Sequence, residues 1–161
     1  MQVARYVAPL DWRAVVTYSS VVLQLLGAVM VIPAGVALVA GEFFFAAIFG
    51  ALALGAYGIG FLGSRGARPL LALKEALVVT ALAYVLFAGG GALAFLPVAS
   101  FVDGFFEAMS GFTTTGLSVL DVGALPKSLL FFRSYAQWIG GAGIIVLSVI
   151  VLAGPGKTAF R

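Results

Sequence analysis

One stretch constrains this chain more than any other: Ser100-Phe-Val-Asp-Gly-Phe-Phe-Glu-Ala-Met-Ser-Gly-Phe-Thr-Thr-Thr-Gly-Leu-Ser118, set between two long apolar runs. Ser100 followed three residues later by Asp103 is a helix-start pattern. From there Phe101, Phe105, Met109 and Phe112 recur at three- and four-residue steps, the spacing of one helix face. A helix of about a dozen residues is roughly 18 Å long at 1.5 Å per residue, while a bilayer core is about 30 Å thick. The segment therefore has to enter the membrane and return on the same side. Irregular backbone at that depth is tolerated only where protein or a water-filled cavity surrounds it. Thr113-Thr114-Thr115-Gly116 suits such a place. A glycine that takes positive φ lets neighbouring carbonyls point to one side. Several such segments around an axis would make rings of oxygens able to replace a cation's hydration shell. The negative C-terminal end of the short helix would face the same point.

Composition puts the stretch in a membrane. Of 161 residues, 63% are hydrophobic and 9% charged, and the mean hydropathy is +1.17. The absence of cysteine and histidine excludes disulfides, Cys/His metal sites, histidine acid–base chemistry and thiol nucleophiles. A net charge of +3, spread along the chain, gives no footprint for nucleic acid. With no phosphate-binding glycine loop and no candidate triad, nothing points to an enzyme.

Four spans can be read around the short helix. Met1 to Arg13 is a polar start carrying Arg5, Asp11 and Arg13, followed by an apolar run from Ala14 to Ala40 that is too long for a cleaved signal peptide. Pro33 is expected to kink it. Gly41-Glu42 is a turn, and the second span runs from Phe43 to about Leu62. Its rows Ala47, Ala51, Gly55 and Ala56, Gly60, Ser64 would let helices approach closely, giving a packed hairpin. A basic connector with Arg65 and Arg68 leads to the third span, Leu70 to about Leu96, where Lys74 and Glu75 are read as interfacial. Gly89-Gly90-Gly91 would either loosen this helix or admit the short one, and the sequence leaves both open. The fourth span runs from about Lys127 to Ala153, with Gly140-Gly141-Ala142-Gly143 read as a close-packing site. Arg133 lies inside it, a costly place for a charge, and Glu107 or Asp103 of the short helix is its expected partner. On this topology Arg5, Arg13, Arg65, Arg68, Lys74, Lys157 and Arg161 fall on one side, which makes both termini cytoplasmic. Glu42, Asp103, Glu107 and Asp121 fall on the other and are expected to form an acidic mouth above the filter.

Phe106-Glu-Ala-Met-Ser-Gly-Phe-Thr-Thr-Thr-Gly116 resembles the first pore loop of the Trk/Ktr/HKT superfamily of potassium transporters, and within it the TrkH subunits. Leu125-Pro-Lys-Ser-Leu-Leu-Phe-Phe-Arg-Ser-Tyr-Ala-Gln-Trp-Ile-Gly-Gly-Ala-Gly-Ile-Ile-Val-Leu147 is similar to the span that follows that loop. The resemblance implies an all-α membrane protein of four transmembrane helices plus one re-entrant pore helix and filter loop, a membrane–pore–membrane unit like that of potassium channels. Residues 1–64 would be an N-terminal transmembrane hairpin and 65–161 the pore repeat, in the cytoplasmic (inner) membrane of a bacterium. Thr113, Thr114, Thr115, Gly116 and Leu117 would form the filter, with potassium, or sodium, held by the backbone carbonyls of Thr114, Thr115 and Gly116. Ser118 would belong to its outer edge, and Asp103, Glu107 and Arg133 would support the pore. Potassium is implied as substrate, with no bound cofactor, and a cytosolic nucleotide-binding regulatory subunit as partner. Family members hold four such repeats and this chain has room for one, so further repeats would come from missing chain or from other copies. Two other classes stay open: a structural or assembly protein whose Thr-Thr-Thr-Gly turn is only a loop, and half of an inverted-repeat carrier. The carrier would want a second, inverted pore unit, and the first two spans show none.

Overall fold

Asp11 begins the first helix: its carboxylate accepts from the N–H groups of Arg13 (2.9 Å) and Ala14 (3.3 Å), two donors that have no partner within the helix. In a computed structural model that describes residues 9–66 and 69–153, with side chains through residue 145, this helix, α1, spans Trp12–Val39 and continues through Pro33. Gly41, at φ 75°, turns the chain into α2, Phe43–Gly63. Then come α3, Leu73–Phe95, the short α4, Phe101–Phe112, a 3-10 turn at Val122–Ala124, and α5, Lys127–Ala153. The described residues form no strand. Helices α1, α2 and α3 are each long and apolar enough to cross a membrane. The 27 residues of α5 give it a length of about 40 Å. The expectations for Arg5, Arg68, Lys157 and Arg161 lie outside the described residues.

Hydrogen bonds fix which ends lie together. Near the start of α1, Asp11 N–H donates to Glu75 of α3 (3.0 Å), Lys74 Nζ donates to the Pro9 carbonyl (2.5 Å), and Tyr18 donates to the Pro69 carbonyl (3.1 Å). At the opposite end, Glu42 of the α1–α2 turn meets Lys127 and Ser128 at the start of α5. Helices α1 and α3 therefore run one way, α2 and α5 the other. Helix α4 begins on the Glu42 side, where α3 ends.

The hairpin closes on one of the two small-residue rows. A Cβ on Gly60 would meet the Ser20 carbonyl at 2.4 Å, and one on Gly27 the Ala53 carbonyl at 2.6 Å, so the backbones touch there. Gln24, a polar residue in the middle of a span, donates to the Gly60 carbonyl (3.0 Å) and to Ser64 Oγ (2.6 Å). Ala47, Ala51 and Gly55 point away from α1 and are exposed, because Ala46, Phe49 and Ala53 take the inward face.

Glu75 lies in the first turn of α3 and is covered there by protein: it is 2% exposed, held by Asp11 N–H and an ion pair with Lys74 (3.4 Å). On α4, Gly104, Ala108 and Gly111 are buried together with Glu107, Ser110 and Phe112, while Phe101 and Phe106 lie outward. The reason is close approach. A Cβ on Gly104 would lie 2.9 Å from the Ala92 carbonyl, and one on Gly91 would lie 2.7 Å from Ala108 Cβ. Gly91 thus admits the short helix and α3 stays helical to Phe95, which settles the choice left open at Gly89-Gly90-Gly91. Phe132 of α5 is fully buried among Phe49, Phe95 and Phe112, ring centroids 5.4, 6.0 and 6.2 Å away, tying α2, α3, α4 and α5 into one core.

Candidate ion-binding loop

The short helix ends in a left-handed cap. Ser100 starts it, its Oγ accepting from Asp103 N–H (3.2 Å) and donating to the Asp103 carboxylate (2.7 Å). At the other end Thr114 N–H donates to the Gly111 carbonyl (2.9 Å) and Thr115 N–H to the Ser110 carbonyl (2.9 Å), a Schellman arrangement. The residue that must then be left-handed is Thr114, at φ 60°. That position ordinarily holds glycine, and a β-branched residue there is an outlier costing about 1–2 kcal/mol. Gly116, at φ 77°, is left-handed as well. Positive φ therefore alternates through the loop, at 114 and 116.

The two edges of the loop are pinned. Gly140 of α5 packs so closely on the α4 terminus that a Cβ would fall within 1.9 Å of the Phe112 carbonyl oxygen. Ser110 Oγ reaches across to donate to the Leu117 carbonyl (2.7 Å). Beyond it Glu107, 2% exposed, gathers the far edge: its Oε1 accepts from Ser118 Oγ (2.7 Å), Val119 N–H (2.8 Å) and Leu120 N–H (3.2 Å). Its Oε2 pairs with the Arg133 guanidinium, which also donates to Ser118 Oγ (3.2 Å). Between these pins, among the described residues, no hydrogen bond reaches the carbonyls of Thr113, Thr114, Thr115 or Gly116. Thr114 to Ser118 lie exposed, and the carboxyl end of α4 faces this row. Chemically the loop is a short stretch of backbone acceptors without protein partners, held at both ends. The described residues contain no group of three or more His, Cys, Asp or Glu side chains able to hold a metal.

The family model described as "TrkH: Cation transport protein" matches residues 44–160. The chain belongs to the TrkH cation transport family. It is 35% identical over 152 residues to the Trk system potassium uptake protein TrkH of Escherichia coli, covering 89% of this chain and 31% of that one. An uncharacterized cation transporter of Methanocaldococcus jannaschii is 43% identical over 106 residues, 63% of this chain and 22% of that one. Among solved structures, the potassium transporter TrkH of Vibrio parahaemolyticus superposes with a TM-score of 0.73 at 32% identity, covering 94% of this chain and 34% of that chain. The chain thus spans about a third of the length of these TrkH relatives. It has their all-helical membrane fold.

Of the residues singled out in the sequence, the structure brings Thr113–Ser118, Glu107 and Arg133 together. Between the two carboxylates expected near Arg133 it places Glu107 there, while Asp103 stays at the start of α4 with Ser100. Of the carboxylates expected at the acidic mouth, Glu107 is buried behind the loop, Glu42 accepts from Lys127 and Ser128, and Asp121 stays exposed. Burial alone would raise the Glu42 carboxyl. The hydrogen bonds from Ser128 and Lys127, together with the Lys127 charge, outweigh that and hold it below its ordinary value. Sequence reasoning missed two residues. Ser110 gave no signal beyond its place three residues before the threonines. Gln137 lies against Gly116, its Nε2 3.4 Å from where a Cβ would be, and its four-residue step from Arg133 was the available clue. Thr114 was among the residues named for the loop, but nothing in the sequence marked its left-handed backbone.

Proposed function

We propose that this chain supplies one membrane–pore–membrane repeat of a TrkH-type potassium uptake pore, with Thr113, Thr114, Thr115, Gly116 and Leu117 as its quarter of the selectivity filter. The observation that carries the reading is the row of unpaired carbonyls at 113–116, held between a capped helix end and the Glu107–Arg133 pair. One loop offers oxygens from one side only, and a dehydrated potassium ion needs them from all round. Three further loops complete the ring, from other polypeptide or from further copies of this chain. Potassium would sit at the carbonyls of Thr114, Thr115 and Gly116. Asp103, Glu107 and Arg133 support the loop, the first by starting α4 and the other two by fixing its outer edge. In this account residues 1–64 are a hairpin beside the pore and 65–161 the repeat itself. The side bearing Arg13, Arg65 and Lys74 is cytoplasmic by the distribution of basic residues, and a nucleotide-binding regulatory partner would dock there.

Ion flux through the assembled transporter in liposomes tests the reading. Replacing Gly116 by Ser should lower the preference for potassium over sodium while flux persists, since a side chain opposes the left-handed backbone. Selectivity unchanged from the parent would remove the loop from the ion path.

A further inference from the structure

The α1–α2 hairpin is not merely adjacent to the pore repeat; one carboxylate fastens it to the end of α5. The first N–H groups of any helix lack intrahelical partners. For α5 those of Lys127 and Ser128 are met by Glu42, 85 and 86 residues earlier in the chain: Oε1 accepts from Lys127 N–H (2.8 Å), and Oε2 from Ser128 N–H (3.0 Å) and Ser128 Oγ (2.5 Å). A carboxylate at a helix N-terminus also complements the positive end of the helix. Both oxygens are thereby used by protein donors rather than turned to a passing cation.

The same end of α5 carries the loop's support. Leu129 and Phe132, both fully buried, follow Ser128 on the inward side, and Phe132 meets the Phe49 ring of α2 at a tilt, centroids 5.4 Å apart. Arg133 comes next, about 9 Å along the helix from Lys127, and holds Glu107 and Ser118. Glu107 in turn holds Val119 and Leu120 N–H. A rigid helix therefore joins Glu42 at one contact to the outer edge of the ion-binding loop at the next. We infer that Glu42 is a positioning residue for the loop: by capping α5 from the hairpin turn it sets where Arg133 stands, and through Glu107 where residues 118–120 stand. The hairpin is then a strut of the filter. The inference rests on the pore reading only in calling that loop a filter.

Residue-resolved amide exchange on the full 161-residue chain in lipid nanodiscs tests it. In Glu42→Ala, exchange at Lys127 and Ser128 should rise by about tenfold, the scale of a lost helix cap. Val119 and Leu120 should rise as well, by about threefold, while Gln24 and Gly60 in the hairpin contact stay as in the parent. Glu42→Gln has the same shape and keeps one acceptor, so it should retain the fold and show the same pattern at smaller amplitude. A rise confined to Lys127 and Ser128 would make Glu42 a local cap and overturn the inference, as would no rise or an equal rise throughout the chain. The readout does not depend on conduction, so a failed flux assay would count against the pore reading alone.

Discussion

Replacing Arg133 by Leu removes the partner of a carboxylate that has no other escape. Glu107 is 2% exposed, and its Oε1 remains loaded with three donors, from Ser118, Val119 and Leu120. Those three donors keep the carboxylate fixed in its buried place. Oε2 would be left facing the space vacated by the guanidinium. Breaking a buried pair from one side costs about 3–5 kcal/mol, well above the 0–1 kcal/mol of an exposed pair, and the burial here puts the pair in the first class. Adding Glu107→Gln should recover much of the loss, because a side-chain carbonyl still accepts from Val119 and Leu120 while the uncompensated charge is gone. Adding Asp103→Asn instead should recover nothing, since Asp103 is bonded to Ser100. Thermal unfolding of the three variants in nanodiscs, with the double-mutant coupling taken from the Glu107 single variant, measures this. If Arg133→Leu/Glu107→Gln melts no higher than Arg133→Leu, or if the Asp103 double variant does the rescuing, the pairing argument fails.

Gly140→Ala should destabilise by 1–3 kcal/mol or more, because its Cβ would fall within 1.9 Å of the Phe112 carbonyl, a backbone atom that cannot swing aside; Gly143→Ala, with open space around it, should melt like the parent. Thr114→Gly relieves a left-handed threonine of about 1–2 kcal/mol but adds backbone freedom to the unfolded chain worth about 0.5–1 kcal/mol, so it should be neutral to slightly stabilising; a clear loss in a melting assay would show that the Thr114 side chain holds the loop. Glu42 gives a pH signature: with its folded value held below the ordinary 4.5, its contribution is complete above that value and is lost as the pH falls through the lower, folded one. Melting temperature followed from pH 6 downward should therefore decline less in Glu42→Gln than in the parent, and equal declines would remove Glu42 as a source of acid sensitivity.

The chain's organisation was legible because lipid imposes strong rules on sequence. Apolar length marks α1, α2, α3 and α5 to within about three residues, and Ser100 with Asp103 marks the start of α4. The partner of Arg133 was narrowed to two carboxylates, since charges at membrane depth need company. Other features depended on distances that no local pattern carries. Glu42 and Ser128 are 86 residues apart, so a turn carboxylate gives no sign that it caps a helix near the other end of the chain. Glu75 stands in the first turn of α3, but hydropathy counts position along a helix and is blind to Asp11 N–H meeting its carboxylate there. Of the spaced set on α4, Phe112 is buried, Phe105 and Met109 are half-buried and Phe101 is exposed, because close contact of Gly104 with Ala92 and Phe95 turns the start of the helix by its glycine. Gly116 announced its positive φ by being glycine; Thr114 adopts the same region against its own preference.

The central claim is that the carbonyls of Thr114, Thr115 and Gly116 hold a dehydrated potassium ion. Anomalous scattering from thallium, a potassium surrogate, in crystals of the assembled transporter addresses it atom by atom. The account predicts an anomalous peak on the pore axis within direct coordination distance of those three carbonyls in this repeat, displaced by excess potassium and weakened in Gly116→Ser. A transporter that moves thallium yet shows its peaks elsewhere, with the 113–116 carbonyls bonded to water or protein, would contradict it.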